Sequence, residues 1–281
     1  TGKWYLTPLP PATGGSGGSG GGGTTSQFDF TKGLVAYYPF DGNASDMSGN
    51  GNHGTPQNGA TLGADRHGVA EKAYEFDGNN DYLNLGNNLN PGDEVSISFW
   101  FNATGNSPGT TSVLMGKYTP DSYPPNPPGG TWRERSYQIQ LLDGKMYALL
   151  SPVAGTANST PGLVQLESVT TYSGGNWQHL VVTGMASATR IYANGNLDVE
   201  GAGVATIAST SLPTVIGSNN SLNRPYAGLI DDVRVYDRAL SAAEVADLYE
   251  LERPKDSDSD GLYDAYETYL TTDPNDADTD D

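Results

Sequence analysis

Residues 256–267 have the types and spacing of a site for a hard cation. In Asp256-Ser-Asp258-Ser-Asp260-Gly261-Leu262-Tyr263-Asp264-Ala-Tyr-Glu267, aspartates stand at positions one, three and five, with glycine at six, aspartate at nine and glutamate at twelve. Three short carboxylates can wrap one ion, glycine allows the sharp turn, and the Leu262 carbonyl fills position seven. Glu267 then closes the shell with two oxygens, the donor set that calcium prefers. Asp276, Asp278 and Asp280 continue the acidic alternation. A second pair of carboxylates, Asp231 and Asp232, interrupts an apolar stretch. Neighbouring side chains of a strand point to opposite faces, so one of the two faces inward or towards a loop rim. A buried carboxylate needs a partner or a metal, and calcium is the expected partner.

Other chemistry is poorly supported. His53, His67 and His179 are far apart in the sequence, and no Ser-His-Asp or phosphate-binding pattern occurs. There is no cysteine, hence no disulfide framework and no thiolate metal site. The 281 residues carry 33 Asp or Glu against 14 Lys or Arg, a net charge of −19 that argues against nucleic acid and anionic membranes as partners. Residues 254–281 alone hold ten of those acids and one lysine, and without ions they would repel one another. No apolar run approaches the roughly 18 residues that a membrane-spanning helix needs. The sequence starts at Thr1 with no signal-peptide pattern, which leads us to expect an exported, processed, extracellular product.

The elements that must position these groups read as short strands. In 226–249, Leu229, Val233 and Val235 follow the two-residue period of a half-buried strand. The period then changes: Ser241 and Glu244 form a capping box, with Leu240, Val245 and Leu248 at helical spacing. Other strands are expected at 34–40, 73–77, 81–86, 95–101, 135–142, 145–151, 163–170, 177–184, 189–193, 196–200 and 212–217. Asp143-Gly144 and Asn194-Gly195 predict two-residue type I′ hairpin turns. Val95, Ile97, Phe99 and Phe101 alternate with Ser96, Ser98 and Trp100, so the strand is expected to pack one face on the core. About a dozen strands with frequent turns predict an all-β, two-sheet antiparallel jelly-roll sandwich with one short C-terminal helix.

Four segments follow. Residues 1–12 are an extended apolar strand with Trp4, Tyr5, Leu6 and Leu9 as an assembly anchor, and 13–30 are a Gly/Ser-rich linker. Residues 31–253 form the jelly roll, and 254–281 the acidic calcium-binding segment. The first twelve residues are either a tail or a strand added to a neighbouring copy.

Taken in order, several pieces resemble a laminin-G-like jelly roll of the concanavalin A-like lectin/glucanase superfamily, over residues 31–252. They are Gly-Leu-Val-Ala-Tyr-Tyr-Pro-Phe at 33–40, Asp46 with Ser-Gly-Asn-Gly-Asn-His-Gly at 48–54, and Ala-Tyr-Glu-Phe-Asp-Gly at 73–78. Ser-Ile-Ser-Phe-Trp at 96–100, Trp-Gln-His-Leu at 177–180, Tyr-Ala-Asn-Gly at 192–195 and the 226–249 stretch continue the series. The resemblance implies adjacent first and last strands and a structural calcium near their seam. Carried onto this chain, its ligands are Asp41, Asn43 and Asp46 with Asp231 or Asp232. The alternative is that Asp46 and Asp232 cap turns or accept backbone N–H bonds. Residues 256–267 are similar to an EF-hand loop. With Thr272-Asp273-Pro274 and the following aspartates they resemble a bacterial thrombospondin type 3 repeat, Pro254 standing where a paired EF-hand would have an entering helix.

The Glu-x-Asp-x-x-Glu strand of laminarinase-type relatives is absent, and 95–101 offers serines instead, so no enzyme is expected. The first functional reading is a calcium-stabilised extracellular structural or adhesive module. It would contact cell-surface proteins or self-associate into a homopolymeric filament through its N-terminal strand. The second is a carbohydrate-binding module whose Trp100, Trp132, Tyr118 and Tyr226 stack on a glycan, although jelly-roll cores hold such residues in any case.

Overall fold

Two hairpins fix the registers of both sheets. Asp143 and Gly144 have φ of 50° and 75°, and Asn194 and Gly195 have 47° and 79°, the two left-handed residues that a type I′ turn requires. The computed structural model describes residues 28–104, 109–118, 135–152, 162–172 and 174–276. Trp4, Tyr5, Leu6, Leu9, Trp132, Asp278 and Asp280 lie outside the described residues.

In chain order the strands are β1 (Leu34–Tyr38), β2 (Thr55–Gln57), β3 (Thr61–Gly63), β4 (Ala73–Asp77), β5 (Tyr82–Asn84), β6 (Val95–Ala103), β7 (Thr111–Tyr118) and β8 (Arg135–Leu142). They continue as β9 (Lys145–Leu150), β10 (Val164–Thr171), β11 (Gln178–Gly184), β12 (Thr189–Ala193), β13 (Asn196–Gly201), β14 (Val215–Ile216) and β15 (Ala227–Tyr236). Two helices follow, α1 (Ala242–Glu252) and α2 (Asp264–Leu270). An eight-stranded sheet runs β13-β12-β11-β6-β15-β4-β3, with β1 also on β15, and a seven-stranded sheet runs β10-β9-β8-β7-β14-β5-β2. All the pairings are antiparallel. This is the expected two-sheet sandwich, with β1 against β15, so the first and last strands are neighbours.

The inward faces meet in one core that includes Phe76, Phe99, Phe101, Leu180, Ile139, Leu141 and Tyr226. A second, smaller core lies on the other face of the larger sheet. There α1, opened by the Ser241–Glu244 capping box, buries Val245 and Leu248 against Val181, Tyr192 and Tyr236. Each of those two side chains contributes about 1.5–3 kcal/mol by leaving water. The helix corrects the reading of β6 as a half-exposed strand: Ser96, Ser98 and Trp100 are as buried as Ile97 and Phe99. Phe30 packs on this second core, so the packed unit starts slightly before residue 31.

Other boundaries also move. Only Val215–Ile216 of the expected 212–217 strand pairs, and the three-residue β2 and β3 carry too little periodicity to be read from sequence. A second helix, α2, was not expected; it begins inside the acidic loop.

Candidate functional site

The strand β15 changes partner halfway along one edge. Ala227–Ile230 pair with β4, and Val233–Tyr236 pair with β1. Asp231 and Asp232 fall in the gap between those neighbours. The register with β6 also shifts between Asp231 and Arg234, and Asp232 takes a left-handed φ of 46°. This is a bulge, and it cancels the strict alternation of a strand. The two carboxylates therefore converge instead of pointing to opposite faces, which corrects the sequence expectation. Arg66 receives both: Nη1 lies 2.6 Å from Asp231 Oδ2 and Nη2 lies 2.8 Å from Asp232 Oδ2.

Around this fork the guanidiniums and carboxylates are paired with one another. Arg66 donates Nε–H to the Glu252 carbonyl at 2.6 Å, and its guanidinium lies 4.8 Å from the Trp100 ring centroid. Arg234 pairs with Glu252 Oε1 and lies 3.9 Å over the Tyr37 ring, whose hydroxyl donates to Asp232 Oδ1 at 2.7 Å. Two guanidiniums thus face three buried carboxylates. Burial and then Asp232 push the Asp231 carboxyl well above its ordinary range. Burial acts on Asp232 too, but Arg66 and Arg234 outweigh it and hold Asp232 low. A protonated Asp231 leaves the cluster electrically balanced.

The other expected seam ligands have different partners. Asp46 is buried and accepts the backbone N–H groups of Tyr37, Ser48 and Asn52 at 3.0, 2.9 and 2.9 Å. Asn43 accepts from the Ser45 N–H at 2.8 Å, and Asp41 pairs with Lys72 at 3.0 Å. The structure does not bring Asp41, Asn43 and Asp46 together with Asp231 and Asp232 as one ligand set. Among the described residues, one group of three metal-ligand side chains converges within 4.8 Å, and it is Asp256, Asp258 and Asp260.

Within that loop the aspartates bond to the backbone, and Asp264 and Glu267 are not part of the convergent group. Asp256 accepts from Ser259 N–H at 2.7 Å and from Gly261 N–H at 3.2 Å, and Gly261 has φ of 98°. Asp260 accepts from Leu262 N–H at 2.7 Å, and Asp264 holds Ser257 through its N–H and hydroxyl at 2.7 and 2.8 Å. Glu267 is different. It is fully buried, and neither carboxylate oxygen has a hydrogen-bond partner. Burial and then the charges of Asp258, Asp260, Asp264 and Asp256 push its carboxyl upward. Asp258 Oδ2 is likewise buried without a partner. Orphaned buried oxygens are costly, and these fit a divalent cation bound by oxygens.

Between the fork and the loop lies a groove of about 470 Å³. Buried Arg66 and Trp100 reach it from below, and Asp65 and Gly68 border it from the segment before β4. Asn176 and Trp177 come from the turn before β11, Asn194 from the β12–β13 hairpin, Tyr249 from α1, and Pro254 and Tyr263 from the acidic segment. Tyr249 stacks on Trp100 with centroids 5.7 Å apart, and His179 lies 5.2 Å from Trp100. Asn194 is fixed by accepting the His179 N–H at 2.9 Å and donating to Gln178 at 2.8 Å. Asp65 is the one carboxylate among these lining residues, whereas a retaining glycosidase needs two about 5 Å apart.

Two of the histidines serve the scaffold. His53 Nδ1 accepts the Asp46 N–H at 3.1 Å, and His179 Nε2 meets Ser98 Oγ at 2.8 Å. Burial, then Arg234 and Arg66, drive His179 down to about 3. The aromatic residues proposed as a glycan platform from sequence, Trp100, Tyr118 and Tyr226, are buried. Sequence reasoning missed Trp177, Tyr249 and Tyr263 as groove residues. The only signal for them was their position beside Asn-rich turns and the acidic loop.

Residues 77–246 match a laminin-G-type family model described as the concanavalin A-like lectin/glucanases superfamily. No curated protein matches the chain in sequence. Among solved structures, domain 4 of an extracellular GH43 arabinanase from Geobacillus stearothermophilus, solved with arabinotriose, is similar at 25% identity and a TM-score of 0.56. The match covers 77% of this chain and 98% of that one. The binding domain of Paraclostridial mosquitocidal protein 1 is similar at 19% identity and a TM-score of 0.60, covering 78% of this chain and 52% of that one. A botulinum neurotoxin type C structure, from a toxin whose cell entry depends on two ganglioside molecules, is similar at 11% identity and a TM-score of 0.59. It covers 81% of this chain and 53% of that one. The chain thus spans about half of these toxin structures, and at such identities the likeness to them shows the fold alone.

Proposed function

This chain belongs to the concanavalin A-like lectin/glucanases superfamily, and we propose that it acts there as a non-catalytic binding module for a neutral oligosaccharide, within an extracellular protein. The observation that carries this reading is the groove. Its half-buried Trp177 and Tyr249 rings stand beside the fixed amide of Asn194, with Asn176 and Asp65 around them. Aromatic faces stack on the apolar faces of sugar rings, while amides and a carboxylate take the hydroxyls. Both Nη groups of Arg66 are spent on Asp231 and Asp232, and the chain carries −19, which disfavours a sialylated or otherwise anionic ligand. The arabinanase domain that holds arabinotriose supports the neutral class. The burial of Asp231, Asp232 and Glu252 against Arg66 and Arg234, where each carboxyl already has a partner, supports a non-catalytic role. Assembly through Trp4, Tyr5, Leu6 and Leu9 concerns residues outside the described structure and adds nothing to this reading.

Calorimetric titration with arabinotriose and with a sialylated trisaccharide tests it. The neutral sugar should bind, at least tenfold more weakly to Trp177→Ala than to the unchanged protein, with the unfolding midpoint preserved. Binding of the sialylated sugar alone, or release of cleaved sugar, would overturn the proposal.

We propose further that residues 254–276 are a thrombospondin type 3-like calcium segment, in which Asp256, Asp258, Asp260, the Leu262 carbonyl, Asp264 and Glu267 hold the ion. Calcium bound there supplies the positive charge that lets these carboxylates converge. The orphaned Glu267 oxygens support this assignment most directly. Asp276 belongs to the acidic stretch that follows. Terbium luminescence excited through Tyr263 tests the site, and Glu267→Gln should abolish the signal.

A further inference from the structure

We infer that calcium in the 256–267 loop sets the outer wall of the groove, so that access of a ligand to the groove depends on the cation. This inference rests on the saccharide and calcium readings above and concerns how the one site controls the other.

The two sites share their residues. Tyr263 lies between Leu262, whose carbonyl is a ligand, and Asp264, yet its side chain is 41% exposed and lines the groove. Pro254, two residues before the first ligand, lines it as well. The ends of the loop are joined by the Asp264 N–H, which donates to the Lys255 carbonyl at 2.8 Å. Both wall residues are therefore carried by the backbone that the ion organises.

The loop also docks on the opposite rim. The Tyr263 ring meets His67 edge-on, with centroids 6.5 Å apart and planes at 88°. One turn later, Tyr266 lies over Gly68, where an added Cβ would stand 3.6 Å from the ring. Asp65, Arg66 and Gly68, all lining the groove, belong to this same short segment. The segment is stiff on its far side, because Arg66 is held by Asp231 and Asp232, and Asp65 accepts the His67 and Val69 N–H groups at 2.9 Å each. The mobile partner of the contact is therefore the acidic loop.

Glu267 decides the position of that partner. It sits in α2, immediately after Tyr266, and its N–H donates to the Tyr263 carbonyl at 3.0 Å. Its carboxylate is buried with no hydrogen-bond partner, and the carboxylates of Asp256, Asp258 and Asp260, which converge within 4.8 Å in the same loop, repel it. Without a cation, this repulsion is relieved by swinging Glu267 away from the loop, and Tyr263 and Tyr266 must travel with it. With a cation bound, the same carboxylates draw Glu267 in and press both rings onto residues 65–68.

Hydrogen–deuterium exchange of the full chain, in calcium and in chelator, with arabinotriose titrated in parallel, tests this. Calcium should slow exchange at least tenfold in 256–270 and also in 64–69, and should tighten the sugar at least tenfold. Glu267→Gln should remove both effects. Tyr263→Ala should keep calcium binding but lose the calcium dependence of the sugar. Exchange at 64–69 that ignores calcium while 256–270 responds would overturn the inference, as would no calcium response anywhere. If 64–69 follows calcium but no sugar binds in either state, the coupling stands and the oligosaccharide reading fails.

Discussion

The indole N–H of Trp100 donates to Glu252 Oε2 across 2.9 Å, tying the middle of the larger sheet to the last residue of α1. The other oxygen of Glu252 pairs with Arg234, so one carboxylate joins helix, strand and ion cluster. Glu252→Ala leaves a buried guanidinium short of its partner and should cost about 3–5 kcal/mol. Glu252→Gln keeps an acceptor for the indole and should cost clearly less. Urea titration of both variants measures the difference, and equal losses would show that packing rather than charge is at stake.

Arg66 spans Asp231 and Asp232 with two nitrogens of one rigid fork. Lysine offers a single point charge and cannot occupy both positions. Arg66→Lys should therefore destabilise the sandwich by about 3 kcal/mol despite keeping the charge. A change in midpoint too small to measure would mean that the bulge is held by its backbone alone.

Native His179 titrates near 3, while an unfolded histidine titrates near 6.5. Its contribution to stability is complete above the unfolded value and is lost as pH falls towards the folded one, by about 1.4 kcal/mol per pH unit. Glu252, raised to about 7 chiefly by burial, has the opposite sign: its contribution is complete below its unfolded value and fades as pH rises through 7. Comparing the intact protein with His179→Gln at pH 7 and 4.5 isolates the histidine. The intact protein should lose about 2–3 kcal/mol more than the variant over that interval.

Chelation should act on one end of the molecule. The seam carboxylates are satisfied by Arg66 and by backbone N–H groups, whereas Glu267 is not satisfied by the protein. Calcium at about a hundred times its dissociation constant should add about 2.7 kcal/mol to the unfolding of residues 254–276. Scanning calorimetry with chelator should thus shift or remove an early transition and leave the main transition in place. A large fall of the main transition would point to a cation inside the sandwich.

What could be read from the sequence is local. Asp143-Gly144, Asn194-Gly195 and the Ser241–Glu244 box each specify their geometry within a few residues, and the structure holds all three conformations. The partner of Asp231 was not legible, because Arg66 lies 165 residues away in the chain and the bulge that aims both carboxylates arises from a change of neighbouring strand. Trp100 was misplaced for a similar reason. Its outward face is covered by a helix that packs across the sheet, and alternation within β6 carries no record of that cover. The groove draws on six separate segments, so no window of sequence contains it.

The pairing of Leu34 with Tyr236 brings the entry and exit of the sandwich to the same end of two antiparallel strands. Tension applied through the flanking chain would first have to lift α1 from the sheet, where Val245, Leu248 and Glu252 hold it, and would then load the β1–β15 hydrogen bonds one after another, as in opening a zipper. The helix thus acts as the latch on the β1–β15 seam, and the seam can open only after the latch is released.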